Sequence, residues 1–163
     1  MKKILALMLV VVAGAATWLL WPASTKAPDV TFTTIKGEQI KLDALRGKVV
    51  LVKFWATSCV TCIKQMPDNI EAFNEFHGQG FDLIAVAMQY DPANYVINYA
   101  ETRKLPFTVA LDSEGKVARA FDDVKLTPIA FVIDKRGRII KQYLGNYDKQ
   151  EMRQTLEKAL SQT

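Results

Sequence analysis

Val49-Val50-Leu51-Val52-Lys53-Phe54-Trp55-Ala56-Thr57-Ser58-Cys59-Val60-Thr61-Cys62 decides the fold. Val49–Trp55 is apolar except for Lys53, which reads as a central strand covered on both faces. A helical pattern follows from about Cys59 to His77, with Ile63, Met66, Ile70, Phe73 and Phe76 as its buried stripe. Pro67 lies inside this pattern and should kink it. Cys59 and Cys62 are the chain's only cysteines. Two cysteines so spaced can close a disulfide, share a metal or attach a haem. At a strand-to-helix junction they read as a redox pair, because a helix N-terminus stabilises the thiolate that thiol exchange requires.

Working outward, Val30–Ile35 and Gln39–Leu42 alternate around Lys36-Gly37 and read as a β-hairpin. Asp43–Arg46 reads as a helical turn stopped by Gly47. Downstream, Phe81–Met88 is a second buried strand. Asp91-Pro92 opens a helix carrying Tyr95, Val96 and Tyr99, with Asp91 as cap and Pro92 at the first helical position. Phe107–Leu111 is a third strand and Val117–Phe121 a short helix. Ile129–Ile133 and Ile139–Tyr143 flank the turn 134–138 as a hairpin. Asp148, with Glu151 three residues on, is an acidic capping box for a last helix whose face carries Met152, Leu156 and Leu160. This order predicts an α/β domain over 30–163, with a mixed central sheet and helices on both faces.

At 163 residues the chain suits one such domain, and half of its residues are hydrophobic, which excludes a disordered chain. The net charge of +4 falls by two if Lys2 and Lys3 are removed. No basic stripe with interleaved aromatics marks a nucleic-acid partner. Met1-Lys2-Lys3 precedes Ile4–Trp21, which carries no charge. As a helix this segment would span about 27 Å, near the hydrocarbon thickness of a bilayer. Trp18 and Trp21 suit the membrane boundary, and Pro22 ends the run. The expectation is a membrane anchor over 1–22 and a tether over 23–29, with the domain outside the cytoplasm by the positive-inside rule. A signal peptide cleaved after Ala13-Gly14-Ala15 is the alternative, and it too exports the domain. In an exported protein, two cysteines this close serve as a pair that opens and closes.

The whole pattern resembles a known family. Trp55–Cys62 and Met66-Pro67 after a buried strand resemble the thioredoxin fold. Within it the chain is similar to the membrane-anchored TlpA/ResA-type thiol-disulfide oxidoreductases of bacteria. Ala27-Pro28-Asp29, Leu45-Arg46-Gly47-Lys48-Val49-Val50 and Leu126-Thr127-Pro128-Ile129-Ala130-Phe131-Val132-Ile133-Asp134 carry the likeness, which covers roughly 27–161. The chain departs from that family at four places. Ser58 stands where Trp is usual, Thr61 where Pro is usual, Gln65 where ResA-like members have Glu, and Lys53 where thioredoxins keep a buried Asp.

The resemblance implies that Cys59 attacks the partner's disulfide and that Cys62 then resolves the mixed disulfide. It also implies a cis peptide bond at Thr127-Pro128, beside which a substrate strand pairs, so Thr127 and Pro128 are candidate substrate contacts; Trp55 reads as packing against the active-site helix, either as plain core or as a further substrate contact. No cofactor beyond the redox disulfide is expected. Lys53 and Gln65 are candidates for tuning the pair: either the Lys53 stem packs while its ammonium reaches water at the sheet end, or it approaches Cys62 and stabilises a thiolate. His77 reads as a surface residue. The family likeness favours reduction of disulfides in exported proteins, for example apocytochrome c before haem attachment, with a membrane thiol transporter as electron donor. An oxidase or isomerase of the same fold is the alternative.

Other chemistries fit less well. Zinc needs four ligands, and His77 is the sole further residue of the usual strong set. Covalent haem attachment needs His after the second cysteine, where Ile63 stands. Copper-assembly factors of this fold use a longer cysteine spacing and a distant His. Peroxiredoxins need Pro and Thr where Val52 and Ala56 stand.

Overall fold

The computed structural model describes residues 25–162. The anchor or signal segment expected over 1–22 lies outside them. No helix among the described residues is long and apolar enough to cross a membrane.

The strands are β1 (Thr25–Lys26), β2 (Thr31–Thr34), β3 (Gln39–Lys41), β4 (Val49–Trp55), β5 (Phe81–Ala87), β6 (Thr108–Leu111), β7 (Ile129–Ile133) and β8 (Arg138–Leu144). The α-helices are α1 (Val60–Phe76), α2 (Ala93–Thr102), α3 (Lys116–Ala120) and α4 (Lys149–Ser161). One sheet runs in the order β1-β8-β7-β4-β5-β6-β2-β3. β4 pairs parallel with β5 and antiparallel with β7, and β5 pairs parallel with β6. The sheet is mixed, as the sequence predicts.

The side-chain alternation of β4 splits the core in two. Val49, Leu51 and Trp55 face a cluster built with Met66, Phe73 and Phe76 of α1, Val96 of α2 and Leu156 of α4. Val50, Val52 and Phe54 face a second cluster with Phe32, Val117 of α3, Phe121 and Phe131. Phe54 meets Phe121 and Phe131 edge-on, at centroid distances of 5.5 and 6.1 Å. This double burial is why β4 reads as an unbroken apolar run, and it fixes the strand that delivers Cys59.

Several details differ from the sequence reading. Thr25–Lys26, inside the expected tether, pair with Ile139 and Arg138 as an edge strand, and Ala27 is buried. A two-residue strand is too short to leave a period in the sequence. Pro67, by contrast, lies inside α1 as the sequence places it, and the helix runs on to Phe76. α2 starts at Ala93 with Pro92 in the cap position and no side-chain cap, because the Asp91 carboxylate is engaged elsewhere. At α4 the cap is half of the expected box. Asp148 Oδ1 accepts the Glu151 N–H at 2.8 Å, while the Glu151 carboxylate pairs with Lys141 at 3.0 Å. Asp148→Ala should therefore cost about 1 kcal/mol in urea unfolding; an unchanged midpoint would show that the cap contributes nothing.

Candidate active site

Cys59 is the N-cap of α1, and the two sulfurs are joined as a disulfide with the Cα atoms 5.2 Å apart. The Cys62 N–H donates to Cys59 Sγ at 3.1 Å, and the Ile63 N–H donates to the Cys59 carbonyl at 3.1 Å. The N-terminal sulfur thus sits where helix N–H groups and about half a positive charge converge. The first turn of α1 carries no acidic residue to offset that field. Cys62 has 0 % of its surface exposed, whereas Cys59 is half-buried. An incoming sulfur can therefore reach Cys59, with Cys62 behind it.

Strand register supplies the surroundings. Phe54 pairs with Ile129, so the residues just before β7 run beside the chain leading to Cys59. There Thr127-Pro128 is cis, with Pro128 buried and Thr127 half-buried. The Gly145 N–H donates to the Pro128 carbonyl at 2.8 Å, and Thr127 Oγ1 lies 3.3 Å from Tyr90 Oη. On the other side Trp55 pairs with Ala87, which brings the loop 88–92 to the same end of the sheet. Asp91 there accepts from Thr57 N and Thr57 Oγ1, both at 2.6 Å. This bond ties the redox loop to β5, and it is what the sequence reading mistook for a helix cap. Asp91→Ala removes the acceptor of a part-buried N–H and should cost about 1–3 kcal/mol in urea unfolding. A loss under about half a kcal/mol would contradict the tether.

Three exposed apolar side chains stand near this end of the sheet: Val60 (68 %) at the start of α1, and Tyr90 (53 %) and Leu126 (69 %) in loops. The sequence reading did not single them out, since the exposure of isolated apolar residues leaves no periodic trace.

Beneath the disulfide the structure corrects two expectations. Trp55, a candidate substrate contact, has no exposed surface and packs its ring 5.4 Å from Tyr99. Its Nε1–H is buried without a partner. Lys53 does not reach water: it is fully buried, and its ammonium donates to Gln65 Oε1 at 2.7 Å and Tyr147 Oη at 3.2 Å. Burial pulls its pKa down to about 7, against the opposing charge of Asp68. Tyr147 donates to Asn69 Oδ1 at 2.9 Å, and burial pushes its own pKa up. His77 is exposed at the end of α1, with its ring stacked on Phe73 at 4.4 Å. Among the described residues no group of three or more His, Cys, Asp or Glu is placed to hold a metal.

Known proteins are similar to this chain in sequence and fold. The Redoxin family matches residues 22–160. The thiol-disulfide oxidoreductase ResA of Bacillus thuringiensis is 33 % identical over 134 residues, covering 82 % of this chain and 76 % of that one. The chain belongs to the redoxin family, among its TlpA/ResA-like thiol-disulfide oxidoreductases. The thioredoxin-like protein YneN of Bacillus subtilis is 30 % identical over 96 % of this chain and 98 % of its own. Among solved structures, a thiol:disulfide interchange protein of the thioredoxin family from Chlorobium tepidum superposes with a TM-score of 0.78 at 25 % identity. That match covers 86 % of this chain and 99 % of the other. In this redoxin domain the Cys59–Cys62 pair stands at the head of α1, ready for thiol–disulfide exchange with protein thiols and disulfides.

Proposed function

We propose that this redoxin domain reduces disulfides in exported proteins, apocytochrome c among them, by cycling Cys59–Cys62 between dithiol and disulfide. The carrying observation is the difference in exposure between the two sulfurs. Only the half-buried Cys59, at the positive end of α1, meets a partner, while the enclosed Cys62 serves the second step. A partner strand lies along Thr127-Pro128, and Val60, Tyr90 and Leu126 offer apolar contact to an unfolded segment around its cysteine. Electrons come from a membrane thiol-disulfide transporter. Ile4–Trp21 anchors the chain as a single span in the bacterial cytoplasmic membrane, with the domain facing the periplasm or cell exterior. Retention in the membrane fraction after carbonate washing supports that anchor, and release of a shortened chain supports signal cleavage instead.

One observation favours the oxidase or isomerase reading. Lys53 is buried against Gln65, one turn past Cys62 on α1, and a cation there would stabilise negative charge on sulfur, hence the reduced pair, which makes the disulfide more oxidising. The reduction potential separates the two. A value near about −270 mV supports the reductase, and one near about −120 mV supports the oxidant.

A further inference from the structure

Thiol exchange at the Cys59–Cys62 pair does not by itself call for a lysine in the core, and an enclosed ammonium is costly unless something requires it. Lys53 projects from β4 onto the buried stripe of α1, where Cys62, Gln65, Met66 and Asn69 lie within two turns. Gln65, three residues past Cys62, is held in place from its other end: its Nε2 donates to the Gly145 carbonyl at 3.2 Å and to Asn146 Oδ1 at 3.4 Å. That arrangement aims Oε1 at Lys53. Tyr147 receives the ammonium both through its hydroxyl and over its ring, 5.1 Å from the centroid. These hydrogen-bond partners are neutral. The charged groups that face the cluster are few. On α1, Asp68 acts at longer range and is itself paired with Lys149 of α4 at 3.2 Å. The neighbouring strands present Ala85 and Ala130 opposite Lys53. In the oxidised protein, then, no carboxylate hydrogen-bonds the Lys53 ammonium, and Cys62, one turn before Gln65 and buried in the cluster on the same face of the sheet, is where reduction can place a negative charge.

We propose that Lys53 takes up a proton when the Cys59–Cys62 disulfide is reduced, so that electron transfer at this pair is coupled to protonation of a buried amine. The inference rests on the thiol-exchange reading above. A dithiol partner supplies two electrons and two protons and is itself oxidised to a disulfide. The Cys59–Cys62 bond breaks, one proton caps one of the two sulfurs, and the other sulfur remains a thiolate. The second proton resides on Lys53 Nζ instead of passing to solvent. Lys53 is thus a positioning residue for charge, acting through the turn of α1 that carries Cys62 and Gln65. By reciprocity, whatever favours the Lys53 ammonium favours the reduced pair to the same extent.

The test follows the Lys53 Nζ resonance by NMR through a pH titration of the wild-type protein, oxidised and then reduced with dithiothreitol. The expected result is a midpoint at least about one pH unit higher in the reduced protein; equal midpoints overturn the proposal. A second measurement compares the exchange equilibrium with dithiothreitol in wild type and Lys53→Met between pH 6 and 9. With one thiolate in both reduced proteins, the wild-type-to-variant ratio should fall above about pH 7 by a total factor set by the shift in the Lys53 midpoint, about tenfold for one pH unit, and a flat ratio overturns the coupling. Should the variant not fold, the NMR titration decides alone. Failure of dithiothreitol to reduce the pair at all would sink the thiol-exchange reading as well, whereas reduction with an unmoved Lys53 sinks only the proton uptake.

Discussion

Cys59→Ser should abolish disulfide reduction, lowering turnover with a model disulfide protein by at least about a thousandfold, since the covalent route is lost with its nucleophile. Cys62→Ser should behave differently. Cys59 still attacks, and the product is a mixed disulfide that cannot be resolved, visible as a dithiothreitol-sensitive band on a non-reducing gel. The asymmetry follows from geometry. Cys59 is half-buried at the N-cap with the Cys62 N–H donating to its sulfur, while Cys62 has no exposed surface. Equal trapping by both variants would show that the two sulfurs exchange roles, and the reading of α1 as the activating element would fail. Trapping also identifies the substrate, because the band carries the partner held on Cys59.

What the sequence revealed and what it hid divide along a physical line. β4, β5 and β7 are buried on both faces, so their apolar runs named them directly. The hairpins announced themselves through Lys36-Gly37 and the turn 134–138. In the latter, Asp134 Oδ1 accepts the N–H groups of Arg136 and Arg138, each at 2.9 Å. The cysteine pair was legible because its chemistry demands residue type, spacing and a strand-to-helix junction together. Other features depend on tertiary contacts that local pattern does not encode. Asp91 next to Pro92 satisfies every local rule for a helix cap, yet Thr57, distant in sequence, takes its carboxylate. Lys53 breaks the pattern of its strand, which marked it as unusual. Where its ammonium goes depended on Gln65 and Tyr147, which only the folded chain brings together. Trp55 belongs to the same class: its place beside the redox loop suggested a substrate contact, and the packing of Tyr99 against it closed that off.

The second large effect is a pH dependence of stability that belongs to Lys53. In the folded oxidised protein burial holds this lysine at about 7, against an ordinary value of 10.5. Between those two values the unfolded chain binds more protons than the folded one, so stability rises with pH across that window. Below about pH 7 the folded protein bears the full cost of charging Lys53. The slope approaches about 1.4 kcal/mol per pH unit, and across the window the contribution is on the order of several kcal/mol. Lys53→Met keeps a flexible apolar stem of similar length and removes the titration. Tyr147 keeps its bond to Asn69, and Gln65 keeps those to Gly145 and Asn146. The variant should therefore be at least as stable as wild type at pH 7 and less stable by pH 10, when both oxidised proteins are unfolded in urea. Parallel stability curves for the two proteins would mean that Lys53 stays charged throughout, and that Gln65, Tyr147 and the Asp68 field together compensate its burial. Repeating the comparison on the reduced proteins links stability to the redox chemistry. If a thiolate forms beside α1, the Lys53 ammonium acquires an anionic partner; the cost of charging it should shrink, and the lower edge of the window should move above about pH 7.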